Sequence, residues 1–277
     1  MFEFGANFNS LFKLYLIPAL FLLTCEGGDG QSLRAVPQPF NPGCYSRKFT
    51  DAFSITGNPA SLVSYEKFTA GIYSGRLYML KELKHAILAG GFPLANSGAG
   101  FLVNHLSIPG FQQSEAAIGY AKQLGSIDIG VRFGYHRIGV PAYGSKGGIT
   151  FGIGSSWHVT DDLHAGLQIL NPSVGRAEEN IYKTSHSYRA GLGYEVSGQV
   201  LLGGEINKEE DKPAEVSLAM QYQPVARVLL RAGIAVMTGE PNLDVGFSWN
   251  QWRLIVSMGY HVRLGASPGM YIIYKSK

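Results

Sequence analysis

From about residue 67 onward the chain alternates between apolar and polar positions. In Ser126–His136, Ile127, Ile129, Val131, Phe133 and Tyr135 share one face, and Asp128, Gly130, Arg132, Gly134 and His136 share the other. A period of two is that of a β-strand, whose successive side chains point to opposite faces. The pattern recurs at Ile149–His158, Leu163–Ile169, Ser187–Val196, Val216–Gln223, Arg227–Val236, Leu243–Asn250 and Trp252–Arg263, and no helical periodicity competes with it. Counting by this rule predicts about fourteen strands, at 67–77, 84–94, 98–107, 113–123, 126–137, 148–159, 163–171, 185–196, 199–207, 214–223, 226–237, 242–250, 252–263 and 268–275. At roughly 9–12 residues each they have the length of a tilted membrane-crossing strand, and an even count is what single-chain bacterial barrels require.

The connections give a separate signal. Tight links at Asn96-Ser97, Gly125, Thr160–Asp162, Ser197-Gly198, Pro224-Val225 and Gln251 alternate with longer or more polar ones at Gly139–Gly147, Asn171–Thr184, Lys208–Pro213 and Thr238–Pro241. Short turns on one rim and longer loops on the other are the outer-membrane arrangement, and both termini then lie on the periplasmic rim. A soluble β-sandwich also alternates, but its solvent face would be rich in Lys, Glu and Thr. Here the polar face is rich in Gly, Ser, His, Arg and Gln, as suits a lumen. The predicted fold is therefore all-β: a transmembrane antiparallel up-and-down barrel with an apolar skin and a polar lumen. Trp157, Tyr222, Trp249, Trp252 and Tyr271, near segment ends, are expected in interfacial girdles.

Composition adds detail. There are 36 glycines among 277 residues, well above the usual ~7%, without a collagen period. Glycine in strands allows bending and close packing against whatever fills the lumen. Fifteen Tyr and fifteen Phe exclude a disordered chain, and a net charge of +3 with no basic cluster gives no reason to expect nucleic acid as a partner. Lys13, the apolar run Leu14–Thr24 and the small residues Gly28 and Gly30 before Gln31 read as a secretory signal peptide, residues 1–30. Leu22-Leu-Thr-Cys25 also resembles a lipobox, in which Cys25 would be lipidated; either reading exports the chain. Removal of Cys25 would leave Cys44 as a single free thiol, most simply inert. A Pro/Gly/Ser-rich segment, 31–66, then precedes the barrel at 67–277.

Within that segment, Asp51-Ala-Phe-Ser-Ile-Thr-Gly-Asn-Pro-Ala-Ser-Leu62 resembles a motif found just before the first strand of two groups of fourteen-stranded barrels. These are the long-chain fatty-acid transporter (FadL-like) barrels and the PorV/PorQ-like barrels associated with type IX secretion. Asn58, Pro59, Ala60 and Leu62 are the matching positions; Ser61 stands where a glycine is often found. Gln31 as a mature N-terminus is similar to exported Bacteroidetes proteins. The resemblance implies that residues 31–66 fold into the barrel mouth as a hatch; on local physics alone, Asn-Pro-Ala is a turn leading into the first strand. The chain is shorter than is typical of either group, so long binding loops are missing.

The lumen-side residues expected to set any chemistry are Asp128, Arg132, His136, His158, His164, Arg189, Glu195, Glu205, Arg227, Arg231, Asp244, Arg253, His261 and Arg263. Such groups pair across strands or, given the arginine excess, line a path for an anion. No metal-ligand spacing, nucleophile elbow or phosphate-binding loop occurs, so neither an enzyme nor a cofactor or metal site is expected. Three functions fit a barrel in outer-membrane lipid. It could transport a small or hydrophobic solute, partner secretion or surface proteins, or be a structural barrel filled by its own side chains.

Overall fold

The computed structural model describes residues 40–141, 144–171, 186–210 and 212–277. The signal peptide, the lipobox, residues 31–39 and most of the Asn171–Thr184 connection lie outside them. The strands are Thr69–Arg76 (β1), Lys84–Leu94 (β2), Ser97–Ile108 (β3), Phe111–Leu124 (β4), Ile127–Val140 (β5), Gly144–His158 (β6), Leu163–Leu170 (β7), Ser187–Glu195 (β8), Val200–Glu209 (β9), Glu215–Val225 (β10), Val228–Ala235 (β11), Glu240–Trp249 (β12), Trp252–His261 (β13) and Gly265–Lys275 (β14). Each pairs antiparallel with its sequence neighbours, and β1 pairs with β14 to close the barrel. Closure matters in lipid, where an open edge would leave backbone groups with no water to satisfy them.

Two connections differ from expectation. Gly139–Gly147 is largely strand: the β5–β6 ladder continues up to Val140 opposite Gly144. At Pro224 the chain does not turn; β10 runs on to Val225 through a register shift between Tyr222 and Val225, and the turn falls at Ala226-Arg227. An irregular stretch of ladder tolerates a residue that cannot donate a backbone hydrogen bond. The wall is also uneven. β4, β5 and β6 have 14, 14 and 15 residues, whereas β11, β12 and β13 have 8, 10 and 10.

Outward positions form an exposed apolar belt, with Ile118, Ile149 and Leu167 among its most open members. Trp157, Tyr222, Trp249 and Trp252 point outward at the strand ends nearest the rim that carries the chain termini. Tyr271 does not join them. Its ring faces inward, 5.0 Å from the Phe53 ring and 4.4 Å from the Tyr73 ring.

The interior also departs from a polar lumen. Residues of the segment before β1 sit inside the barrel, where Phe53, Ile55, Leu62 and Tyr65 form one core with Ile87, Leu102, Leu229, Ile255, Tyr271 and Ile273 of the wall. An apolar segment is held in a barrel by apolar wall positions, each buried side chain contributing about 1.5–3 kcal/mol.

Candidate functional site: an internal plug and the cavity above it

The plug is built from short turns with side-chain caps. The Asn41 side chain accepts from Gly43 N (3.1 Å) and opens a 3-10 turn over Pro42–Tyr45. Asp51 accepts from Phe53 N and Asn41 Nδ2, both at 2.9 Å, fixing the bend into a single helical turn at Ser54–Gly57. Asn58 is extended, as the following proline demands, and Pro59 then opens a 3-10 helix over Pro59–Ser64. Asn58 Oδ1 accepts from Ala60 N (3.0 Å) while its Nδ2 donates to Ser155 O of β6 (2.9 Å). The Asn58-Pro59-Ala60 motif is thus both a helix cap and a tie to the wall.

Glycines on the inward face seat this plug. A Cβ at Gly193 would lie 2.0 Å from Tyr45 O, and one at Gly98 would lie 1.9 Å from Leu62 O. In both cases the obstacle is plug backbone, so no side-chain motion would relieve it. Gly130 and Gly154 meet Pro59, Gly166 and Gly191 meet the Tyr45 ring, and Gly203 meets Pro42 in the same way. Glycine here is what lets a folded segment lie directly on a β-wall.

Polar anchors complete the seat. Glu195 of β8 accepts from Ser46 Oγ (2.7 Å), Arg47 N (2.8 Å) and Lys48 N (3.1 Å), and pairs with Lys48 Nζ at 2.9 Å. Behind it runs a line of side chains across the wall. His164 lies 3.4 Å from Glu195, the His158 and His164 Nδ1 atoms are 2.9 Å apart, and His158 Nε2 is 2.8 Å from Asp128. Glu205 accepts from Tyr45 Oη (2.7 Å). Arg231 joins Asp51 of the plug (3.2 Å) to Asp244 (3.3 Å) and donates to Gln221. Arg132 pairs with Glu115 (3.2 Å), whose register partner is His136. Arg189 donates to Thr56 O, and Arg253 donates to Ser248 Oγ at 2.7 Å. His261 faces Glu240 across 3.4 Å near the opposite rim. Arg227 and Arg263 are not in the lumen: both are exposed in turns, one on each rim, because their strands stop short of them. The inward charges are therefore spent mainly on holding the plug and on pairing across strands, rather than on an open anion path. Among the described residues no group of three or more His, Cys, Asp or Glu is placed to hold a metal ion.

Above the plug, toward the loop rim, lies a cavity of about 360 Å³. Phe40, Cys44, Thr56 and Gly57 of the plug form its floor; Tyr73, Leu77 and Tyr78 give it apolar walls, and Arg189, Glu205, Asn207 and Asn242 give polar ones, with Glu209, Glu215 and Glu240 toward the mouth. Burial, reinforced by the charge of Glu205, pushes the Cys44 thiol well above its ordinary value. The same two causes raise the Tyr45 hydroxyl, which stays protonated and donates to Glu205. The alternation rule did not single out Leu102, Leu229, Ile255 and Ile273, which line the plug's bed. Their signal was present: each is an apolar residue in phase with the polar face.

No family model matches the chain, and no curated protein is similar to it by sequence. Among solved structures it is similar to the monoaromatic hydrocarbon channel CymD, at 14% identity and a TM-score of 0.58 over 82% of this chain and 93% of that one. It is similar to the toluene transporter TbuX of Ralstonia pickettii, at 8% identity and 0.58 over 82% and 94%. A FadL homologue of Pseudomonas aeruginosa gives 10% and 0.53 over 86% and 97%. At these identities the likeness is one of fold. That fold is the FadL-like outer-membrane barrel, and with the exposed apolar belt it places the protein in the bacterial outer membrane.

Proposed function

We propose that the protein is a plugged transport barrel that takes up a small, largely apolar solute bearing a polar group. The observation that carries this reading is the cavity between plug and loop rim. It has the volume expected of a small-molecule site, with aromatic side chains at its floor and wall beside a set of convergent polar and charged groups. The like-folded proteins named as channels or transporters for toluene and other monoaromatic hydrocarbons support the same reading. The polar groups of the wall favour a ring with a hydrogen-bonding substituent over a bare hydrocarbon. The plug, seated toward the periplasmic rim, acts as the hatch that such a solute must pass or bypass.

The test is calorimetric titration of the purified barrel with benzyl alcohol, toluene and glucose, paired with flux measurements in proteoliposomes. Benzyl alcohol is expected to bind best and glucose not at all. Ala235→Trp, which fills the cavity from the wall, is expected to abolish binding in a barrel that still folds. Equal behaviour of wild type and Ala235→Trp, or no binding of any of the three, would overturn the reading.

A further inference from the structure

Charge is sorted across the wall of this barrel. Among the described strands every Asp and Glu occupies an inward position, from Glu115 and Asp128 on β4 and β5 to Glu240 and Asp244 on β12. The Lys and Arg residues at outward positions have no acidic counterpart there, and three of them gather on one sector. Arg76 of β1 lies opposite Lys84 of β2, and one rung lower His105 of β3 lies opposite Ser114 of β4, which lies opposite Arg137 of β5. All four basic side chains are exposed, and His105 Nδ1 is 2.8 Å from Ser114 Oγ. The turn above adds Lys81 and Glu82, which offset each other.

The patch has a sharp lower border. The next rung toward the periplasmic rim reads Ile72, Leu88, Val103, Ala116 and Tyr135, each the register partner of the one before. The basic rungs thus begin where the hydrocarbon-facing belt ends, at headgroup depth in the outer leaflet. Across the barrel the one outward strand cation near the loop rim among the described residues is Lys208 of β9, which donates to Lys212 O, so the cluster of basic residues belongs to one side. A long basic side chain leaving an apolar surface carries its charge into the headgroup layer, and an anionic surface attracts it. Arginine adds the two-pronged geometry that suits a phosphate.

We propose that the outward face of β1–β5 at the loop rim is a docking surface for the phosphate groups of outer-leaflet glycolipid. Three cations on adjacent rungs span more than one phosphate, so a bisphosphorylated headgroup fits better than a singly charged one. The expected ligand is a lipid that stays with the barrel through purification.

The test uses the full chain in an uncharged detergent, mixed with bisphosphorylated lipid A or with the same lipid after phosphatase treatment, and native mass spectrometry counts bound lipid. Wild type is expected to retain the phosphorylated lipid. Combining Arg76→Gln, Lys84→Gln and Arg137→Gln is expected to weaken retention on the order of 100-fold. Lys122→Gln, an outward lysine near the other rim, is expected to leave it unchanged, and Arg137→Lys to keep most of it. Heat-dependent gel migration checks that each variant is folded. Equal retention by the triple variant, or equal retention of the dephosphorylated lipid, would overturn the proposal.

Discussion

A single methyl group at residue 193 would collide with the carbonyl of Tyr45, and that contact shows how the plug is held. Gly193→Ala is expected to cost about 1–3 kcal/mol, as overpacking does, by lifting the Ser46–Lys48 loop off Glu195. Gly148→Ala, which meets nothing within 4 Å, serves as the control. Cys44 reports the difference. Its buried thiol holds its proton at a pH where a solvated thiol ionises, so maleimide labelling mapped to Cys44 should be slow and flat from pH 7 to 9 in wild type. In Gly193→Ala it should be faster and rise with pH by roughly 20-fold, following an ordinary thiol. Indistinguishable labelling in the two proteins would mean that this contact does not hold the plug. The glycine excess was legible in the sequence as a licence for close packing. Which glycine meets which residue was not, since Gly193 and Tyr45 are brought together only by barrel closure.

At the scale of elements, the strands were the most legible part, because alternation is a local pattern and one face of every strand meets lipid. β2 stands where the pattern put it, the β4–β5 hairpin runs two to three residues further at the loop rim, and the misreadings fall at connections. Pro224 looks like a turn residue but sits in an irregular piece of ladder, and Tyr271 looks like a girdle residue but stands on the inward phase of β14. The plug was legible only through Asn58-Pro59-Ala60, whose backbone preferences are local while its tie to Ser155 is not. Asn58→Ala removes a cap and leaves a buried carbonyl without its donor, an expected loss of about 1–3 kcal/mol. Thermal unfolding followed by gel migration should show a lower midpoint for Asn58→Ala than for wild type. An unchanged midpoint would assign the plug's position to apolar packing alone.

For the whole molecule, the ladder closes through its own hydrogen bonds and the plug only fills what it encloses. Deleting residues 41–64 is therefore expected to leave a barrel that still forms, less stable and freely conducting in planar bilayers, with Leu229, Ile255 and Ile273 facing water. Conductance no higher than wild type would show that something else seals the lumen. The filled interior was the least legible feature, because a few apolar residues on a polar face read as noise until the plug that covers them is in place. The uneven wall carries a last consequence. β5 outruns β12 by about four residues, roughly 10 Å of height once strand tilt is allowed for, so the mouth is cut on a slant like a quill. The cavity lies against the low edge, where Ala235, Asn242 and His261 line it. A molecule drifting along the membrane surface on that side reaches the opening by stepping over a low sill, whereas one approaching from the tall side meets a parapet.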